Sequence, residues 1–146
     1  MFTMQHLIFR LALVLIISST CGCGGEVRRA AVSGTITVDG TPLTKGSIAF
    51  VPSGENKGPA AGAKIINGSY VVAQEKGPFI GTNRVMITSI KPSGRMVPDI
   101  ENPGGPPIAE ISQFIPARYN DESLLERDVA KGKNEFHFEL ELEPAE

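Results

Sequence analysis

Residues 135–143 read EFHFELELE, with Phe136, Phe138, Leu140 and Leu142 alternating with Glu135, His137, Glu139, Glu141 and Glu143. Successive side chains of a strand point to opposite faces, so a period of two assigns one face of this segment to a core and the other to water. The pattern predicts that Phe136, Phe138 and Leu140 are buried while His137 and Glu139 are exposed. The row of glutamates also suits a sheet edge, because charges on an open edge discourage pairing with other chains.

The rest of the chain has to supply partners for such a strand, and it offers several short β-branched runs separated by turn signals. Ala31–Val38 alternates Val32, Gly34, Ile36 and Val38 with Ser33, Thr35 and Thr37. Asp39-Gly40 follows, a residue that tolerates positive φ beside one that adopts it freely, and Pro42 stiffens the exit. Residues 47–51 resume as a strand with Ile48 and Phe50 on one side, so residues 32–52 read as two strands joined by a turn whose residues backbone geometry accounts for. Asn67-Gly68 between two further runs is a strong hairpin signal. Residues 84–90 and 124–129 read as further strands, and residues 114–120, FIPARYN, as extended chain. No segment carries a convincing helical period, and 16 Gly with 11 Pro mark frequent turns without reaching low-complexity levels. Together these features predict an all-β fold of the sandwich or barrel kind.

Residues 91–107 abandon periodicity. Pro92, Pro98, Pro103, Pro106 and Pro107 argue against regular pairing, and a loop of this length is either functional or disordered. Pro92, Arg95, Asp99, Glu101, Pro103 and Pro106 are therefore the candidate interaction residues, since loops on a rigid scaffold carry recognition.

The first 20 residues carry Arg10 as their one charged side chain, run apolar from Leu11 to Ile17 and end in Ser18-Ser19-Thr20. That is the layout of a secretory signal peptide, and it is shorter than the ~20 apolar residues a spanning helix needs. Both cysteines, Cys21 and Cys23, follow in TCGCGG. No disulfide framework can therefore form inside the domain, and two ligands fall short of a closed zinc site. The segment resembles a bacterial lipoprotein processing site, with Cys23 after Gly22 as the acylated residue and Cys21 as the alternative. Gly24, rather than Asp, after Cys23 resembles lipoproteins passed on to the outer membrane. The expected organisation is a signal peptide over residues 1–22, a tether over 23–30 and one β domain over 31–146. Cleavage before Cys23 leaves 146 − 22 = 124 residues with 14 − 1 = 13 Lys+Arg and 16 Asp+Glu, a net charge of −3. That balance offers no basic face for nucleic acid. Arg28 and Arg29 beside the anchor suit either contact with anionic headgroups or a solvated tether.

Taken together, VSGTITVDGTPLTKGSIAFVP, NGSYVV, GTNRVMI, FIPARYN and NEFHFEL behind this leader resemble a group of short bacterial lipoproteins of unknown function. Their domain is similar to the carboxypeptidase regulatory-like, transthyretin-like (prealbumin-like) β-sandwich. The resemblance implies an Ig-like sandwich of about seven strands in two sheets, and it transfers no catalytic residue. An enzymatic relative, hydroxyisourate hydrolase, uses histidines, an arginine and a terminal Tyr-Arg-Gly-Ser; this chain ends Leu-Glu-Pro-Ala-Glu and keeps His137 alone after the signal.

The residue types able to carry chemistry have plainer uses. His137 between Glu135 and Glu139 could act as an oriented base, but nothing in the sequence places a serine nucleophile beside it. Asp99, Glu101 and Asn102 offer oxygen ligands for calcium, though in no known loop spacing. Tyr119 fits a corner tyrosine whose hydroxyl bonds backbone. The expectation is a noncatalytic, lipid-anchored envelope module that needs no cofactor and binds protein or cell-wall material. The alternatives are a small-ligand or calcium-binding lipoprotein and, more remotely, a hydrolase.

Overall fold

The structure is a computed structural model and describes residues 28–143; the signal segment, Cys21 and Cys23 lie outside the described residues. The described residues form eleven strands: β1 (Ala31–Val38), β2 (Thr41–Pro42), β3 (Lys45–Pro52), β4 (Ala61–Ile66), β5 (Ser69–Val72), β6 (Gly81–Thr88), β7 (Ile90–Val97), β8 (Ile108–Gln113), β9 (Glu126–Val129), β10 (Lys133–Glu135) and β11 (Phe138–Leu140). The two helical pieces, Gln74–Lys76 and Ala117–Tyr119, are single 3-10 turns. The fold is an all-β sandwich made by one strongly curled sheet in the order β10-β1-β5-β4-β3-β6-β9, with β11 continuing β10 along β1 and with β7 and β8 forming a separate ribbon. The all-β class is as expected, but the main sheet holds nine strands, more than the seven or so expected, and the ribbon is additional to it.

Alternation decides which side chains fill the inside. Val32, Ile36 and Val38 from β1, Ile48 and Phe50 from β3, Ile65, Tyr70 and Val72 from the central hairpin, and Val85 and Ile87 from β6 form one core with Phe138 and Leu140. His137 and Glu139 face water as the terminal pattern requires. Phe136 is only half-buried. It sits at the break between β10 and β11, against Phe50 at 6.4 Å between ring centroids, with the Arg127 guanidinium 6.0 Å from its ring centre.

Two turns at one end set the topology. Asn67 and Gly68 take φ of 50° and 78°, and Asp39 and Gly40 take 48° and 77°, both with the successive positive φ of a type I′ turn. The first joins β4 to β5 as the sequence predicts. The second pairs β1 only with the two residues of β2, after which Leu43 turns into the core and β3 takes β4 and β6 as its neighbours. The opening run is therefore not a long hairpin: two strands, β5 and β4, lie between β1 and β3. Pro42 contributes to this outcome, since it lacks the amide a continuing ladder would use.

β10 and β11 run parallel to β1, the first and last strands of the domain. Their register is continuous but interrupted at Phe136, whose carbonyl turns inward across Gly34 and accepts a hydrogen bond from the Tyr70 hydroxyl at 2.9 Å. Burial, with a smaller contribution from Glu135 and against an opposing one from Arg127, pushes the Tyr70 phenol well above its ordinary range and keeps it the donor.

The folded body begins before residue 31. The Arg28 carbonyl accepts from the Ile80 amide, the Ala30 amide donates to the Pro78 carbonyl, and Arg29 donates to the Gly77 carbonyl while its guanidinium lies 4.3 Å from the Phe79 ring centre. Arg29 is thus engaged in the fold rather than in a solvated tether, because the antiparallel bridge to Phe79 places its side chain on that ring.

Candidate functional site

From β6 the chain reaches Ser89, which is almost fully buried, and then leaves the body as β7. Four interactions fix that exit. The Ser89 hydroxyl donates to the Lys45 carbonyl, and the Ser89 amide donates to Gln113 Oε1 at 2.8 Å. Coming back, the Phe114 amide donates to the Ser89 carbonyl at 3.1 Å and the Lys91 ammonium stands 4.4 Å over the Phe114 ring centre. Gln113 and Ser89 therefore clamp the two strands where they join the sandwich.

Beyond the clamp β7 and β8 pack chiefly on each other and are exposed over nearly their whole length. This corrects the expectation for residues 91–107: Pro92 pairs with Ile111 and residues 96–97 pair with 108–109, so the prolines do not forbid a ladder. A proline is tolerated where the strand edge on its nitrogen side has no partner, and a two-stranded ribbon consists of edges. Between these pairs the three residues Ser93, Gly94 and Arg95 of β7 oppose Glu110 alone, which produces a bulge. Gly94 at φ 85° lets the chain turn there. Ser93 donates to Glu110 Oε2 at 2.7 Å, and Arg95 reaches both Glu110 oxygens at 3.3 Å, closing the bulge with a two-pronged ion pair.

The six candidate residues occupy this ribbon and its tip. Pro92 lies on the lower ribbon and Arg95 in the bulge. Asp99 Oδ1 accepts the amides of Glu101 and Asn102 at 3.0 and 3.2 Å and so organises the tip, which continues through Pro103 and Pro106. The carboxylate proposed for calcium is thus engaged with backbone amides, and no group of three or more His, Cys, Asp or Glu side chains converges among the described residues. Sequence reasoning missed Ser89, Gln113, Glu110 and Met96, and it assigned no strand to Ile108–Gln113, where Ile108 and Ile111 were the signal that could have revealed the ribbon.

Ladder pairing sorts the ribbon's side chains. Ile90, Pro92, Met96, Ala109, Ile111 and Gln113 share one face, whereas Lys91, Ser112, Glu110, Val97 and Ile108 share the other. At the root the apolar face runs past Ile90 into a groove of about 440 Å³ whose lining includes Leu43, Phe114 and Leu142. A second, open cleft of about 600 Å³ lies beside the Asp39 turn and carries Glu139, Glu141 and Glu143. Asp39 accepts the Leu142 amide at 3.2 Å and ties that turn to the last strand, which makes it part of the scaffold.

His137 does have a hydroxyl neighbour that the sequence did not reveal. Thr35 Oγ1 lies 2.8 Å from its Nδ1, and Glu135 Oε1 lies 3.5 Å from its Nε2. Hydroxyl, imidazole and carboxylate stand in relay order, but on an open strand face with the ring 57% exposed, where water screens the charge such a relay has to stabilise. Tyr119 bonds backbone, but of the last segment rather than the nearby chain expected of a corner tyrosine: its oxygen accepts the Glu141 amide at 3.2 Å, beside Arg118, which donates to the Glu141 and Leu142 carbonyls.

No family model matches the chain, and no curated protein or solved structure is significantly similar to it. Among the described residues no helix is long and apolar enough to cross a membrane.

Proposed function

We propose that this chain is a noncatalytic, lipid-anchored protein of the bacterial cell envelope, held by acylated Cys23 and presenting its domain as a binding module for protein or cell-wall material. On this reading it belongs with the short lipoproteins carrying a transthyretin-like domain. The polarity of the fold is the observation that carries the proposal. β1 rises from the Arg28–Ala30 junction, and its eight residues span about 26 Å at a rise of ~3.3 Å per residue. β6 runs parallel to it two antiparallel steps beyond the central hairpin, so the ribbon leaves from the end of the sandwich opposite the N-terminal junction. A tether at one end and a recognition element at the other suit a module displayed away from a membrane surface.

One acyl chain gives only marginal attachment, whereas two or three hold stably, each buried CH₂ contributing about 0.8 kcal/mol. The native N-terminal peptide is therefore expected to begin at Cys23 with acyl mass, and a Cys21→Ser/Cys23→Ser chain to move from the membrane to the soluble fraction. A mature peptide without acyl mass, or a double variant still sedimenting with membrane, would refute the anchor. Replacing residues 92–107 by a short Gly/Ser bridge should leave the domain folded and remove its envelope partners from affinity capture; unchanged capture would refute the module.

A further inference from the structure

We infer that the end of the sandwich from which β1 rises seats on an anionic phospholipid surface, and that this contact orients the domain with the β7–β8 ribbon pointing away from the bilayer. Three segments meet at that end. The 3-10 turn Gln74–Lys76 leads into Gly77 and Pro78 beside Ala30, whose amide donates to the Pro78 carbonyl. Across β1, the Ala31 amide donates to the Gly132 carbonyl and Ala31 pairs with Lys133. The loop between β3 and β4 closes the same end, with Gly58 against the Phe79 ring and Asn56 donating to the Thr82 carbonyl at 3.0 Å.

These segments carry mostly one sign of charge. Arg28, Arg29, Lys57, Lys76, Lys131 and Lys133 stand on them against Glu55 and Glu75, a local balance of 6 − 2 = +4. All but Arg29 are exposed, and among the described residues none of the six forms an ion pair. The net charge of −3 after Cys23 conceals this end, because carboxylates crowd the other: Asp39 follows β1 there, with Glu139, Glu141 and Glu143 beside it in the open cleft. The eight residues of β1 separate the two groups by about 26 Å, roughly three Debye lengths at physiological salt, so each end acts on its surroundings separately.

The layout of the cations selects the partner. Lys76 follows β5 on one side of β1, whereas Lys131 and Lys133 adjoin β10 on the other, so the charges spread over the end instead of converging on a point. A small anion would reach one or two of them; an extended anionic surface meets them together. Each lysine or arginine near such a surface strengthens partition by about fivefold, within roughly a Debye length of it. Residues 23–27 span at most about 17 Å, so an acylated Cys23 keeps this end within reach of the headgroups. That nearness rests on the anchoring proposed above; the separation of charge does not.

The test uses the protein as cells make it, purified and mixed with vesicles of phosphatidylcholine alone or of phosphatidylcholine with phosphatidylglycerol, and follows amine acetylation of each lysine by peptide mass spectrometry. Lys76, Lys131 and Lys133 should react at least threefold more slowly on the anionic vesicles than on the neutral ones, Lys45 and Lys91 equally on both, and the protection should vanish in 1 M NaCl, where screening acts within about 3 Å. Lys131→Glu/Lys133→Glu should return Lys76 to its rate on neutral vesicles, and Lys45→Glu/Lys64→Glu should not. Equal rates on the two vesicles, protection spread over Lys45 and Lys91, protection that survives the salt, or protection by a DNA duplex and not by the anionic vesicles would each overturn the inference. Flotation with the neutral vesicles reads the anchor separately. A chain that floats only with the anionic vesicles and shows the protection refutes the anchor and upholds the seat; one that floats with both and shows none refutes the seat alone.

Discussion

Gly34 gives the sharpest test of how the last strand is held. A Cβ at residue 34 would lie 1.8 Å from the Phe136 carbonyl oxygen and 2.7 Å from its carbon, distances that only a shift of backbone can relieve. The Phe136 amide donates to Ser33 and its carbonyl accepts from Tyr70, both at 2.9 Å, so displacing Phe136 threatens two hydrogen bonds worth about 1 kcal/mol each. The same displacement loosens Phe138 and Leu140, 4% and 2% exposed, whose complete truncation would cost about 2–5 kcal/mol apiece. If a fraction of that packing is lost, Gly34→Ala destabilises the domain by about 3–5 kcal/mol, out of the ~5–15 kcal/mol typical of a domain.

Gly40→Ala is the matched control. Gly40 has φ 77° and no neighbour within 4 Å of a built Cβ, so its replacement meets only the left-handed backbone cost of about 1–2 kcal/mol. Urea unfolding followed by far-UV circular dichroism separates the two. With m near 2 kcal/mol/M, Gly34→Ala should move the midpoint by about 2 M and Gly40→Ala by under about 1 M. Equal shifts, or a larger shift for Gly40→Ala, would show that the Phe136 carbonyl does not cross Gly34 as described.

Phe138→Ala should cost about 2–5 kcal/mol and His137→Ala under about 0.5 kcal/mol in the same urea assay, and equal losses would mean the terminal register is off by one. Tyr70 makes a pH prediction. Its phenol is raised in the folded state, so its contribution is fully present below the ordinary tyrosine value near 10 and is lost as pH rises beyond it, because the unfolded chain ionises there while the folded chain keeps its proton. Wild-type melting temperature should therefore fall more steeply above about pH 10 than that of Tyr70→Phe, and parallel curves would refute the buried donor.

The body of the fold was legible wherever one rule governed a residue. The period of two placed Ile36, Ile48, Val85 and Phe138 inside, and Asn67-Gly68 announced its turn, because burial and positive φ act locally. Pairing was less legible. Whether β1 takes β3 or β5 as its neighbour depends on Leu43 entering the core and on Gly34 admitting the Phe136 carbonyl, contacts between residues far apart in sequence. The ribbon was hidden because the reading treated each proline as a stop. Pro92 instead sits on a strand with an open edge, and the bulge at Ser93–Arg95 breaks the alternation that would have identified β7.

For the proposed binding module, what the ribbon could recognise depends on how its freedom is distributed. Its root is fixed by Ser89 and Gln113 and braced by Lys91 over Phe114, so the direction in which it leaves the sandwich is set before any partner arrives. The bulge fixes the next bend through Glu110, which holds Ser93 and Arg95 together. Only the tip, turned by Asp99 and closed by the Asn102–Gly105 backbone bond, lacks a partner strand. A partner that touches the tip has to order only those residues, whereas one that covers the apolar face meets side chains already held on a ladder. The entropic cost of association would be smaller in the second case, so on the proposed reading a partner gains more per unit of ordering from the face than from the tip.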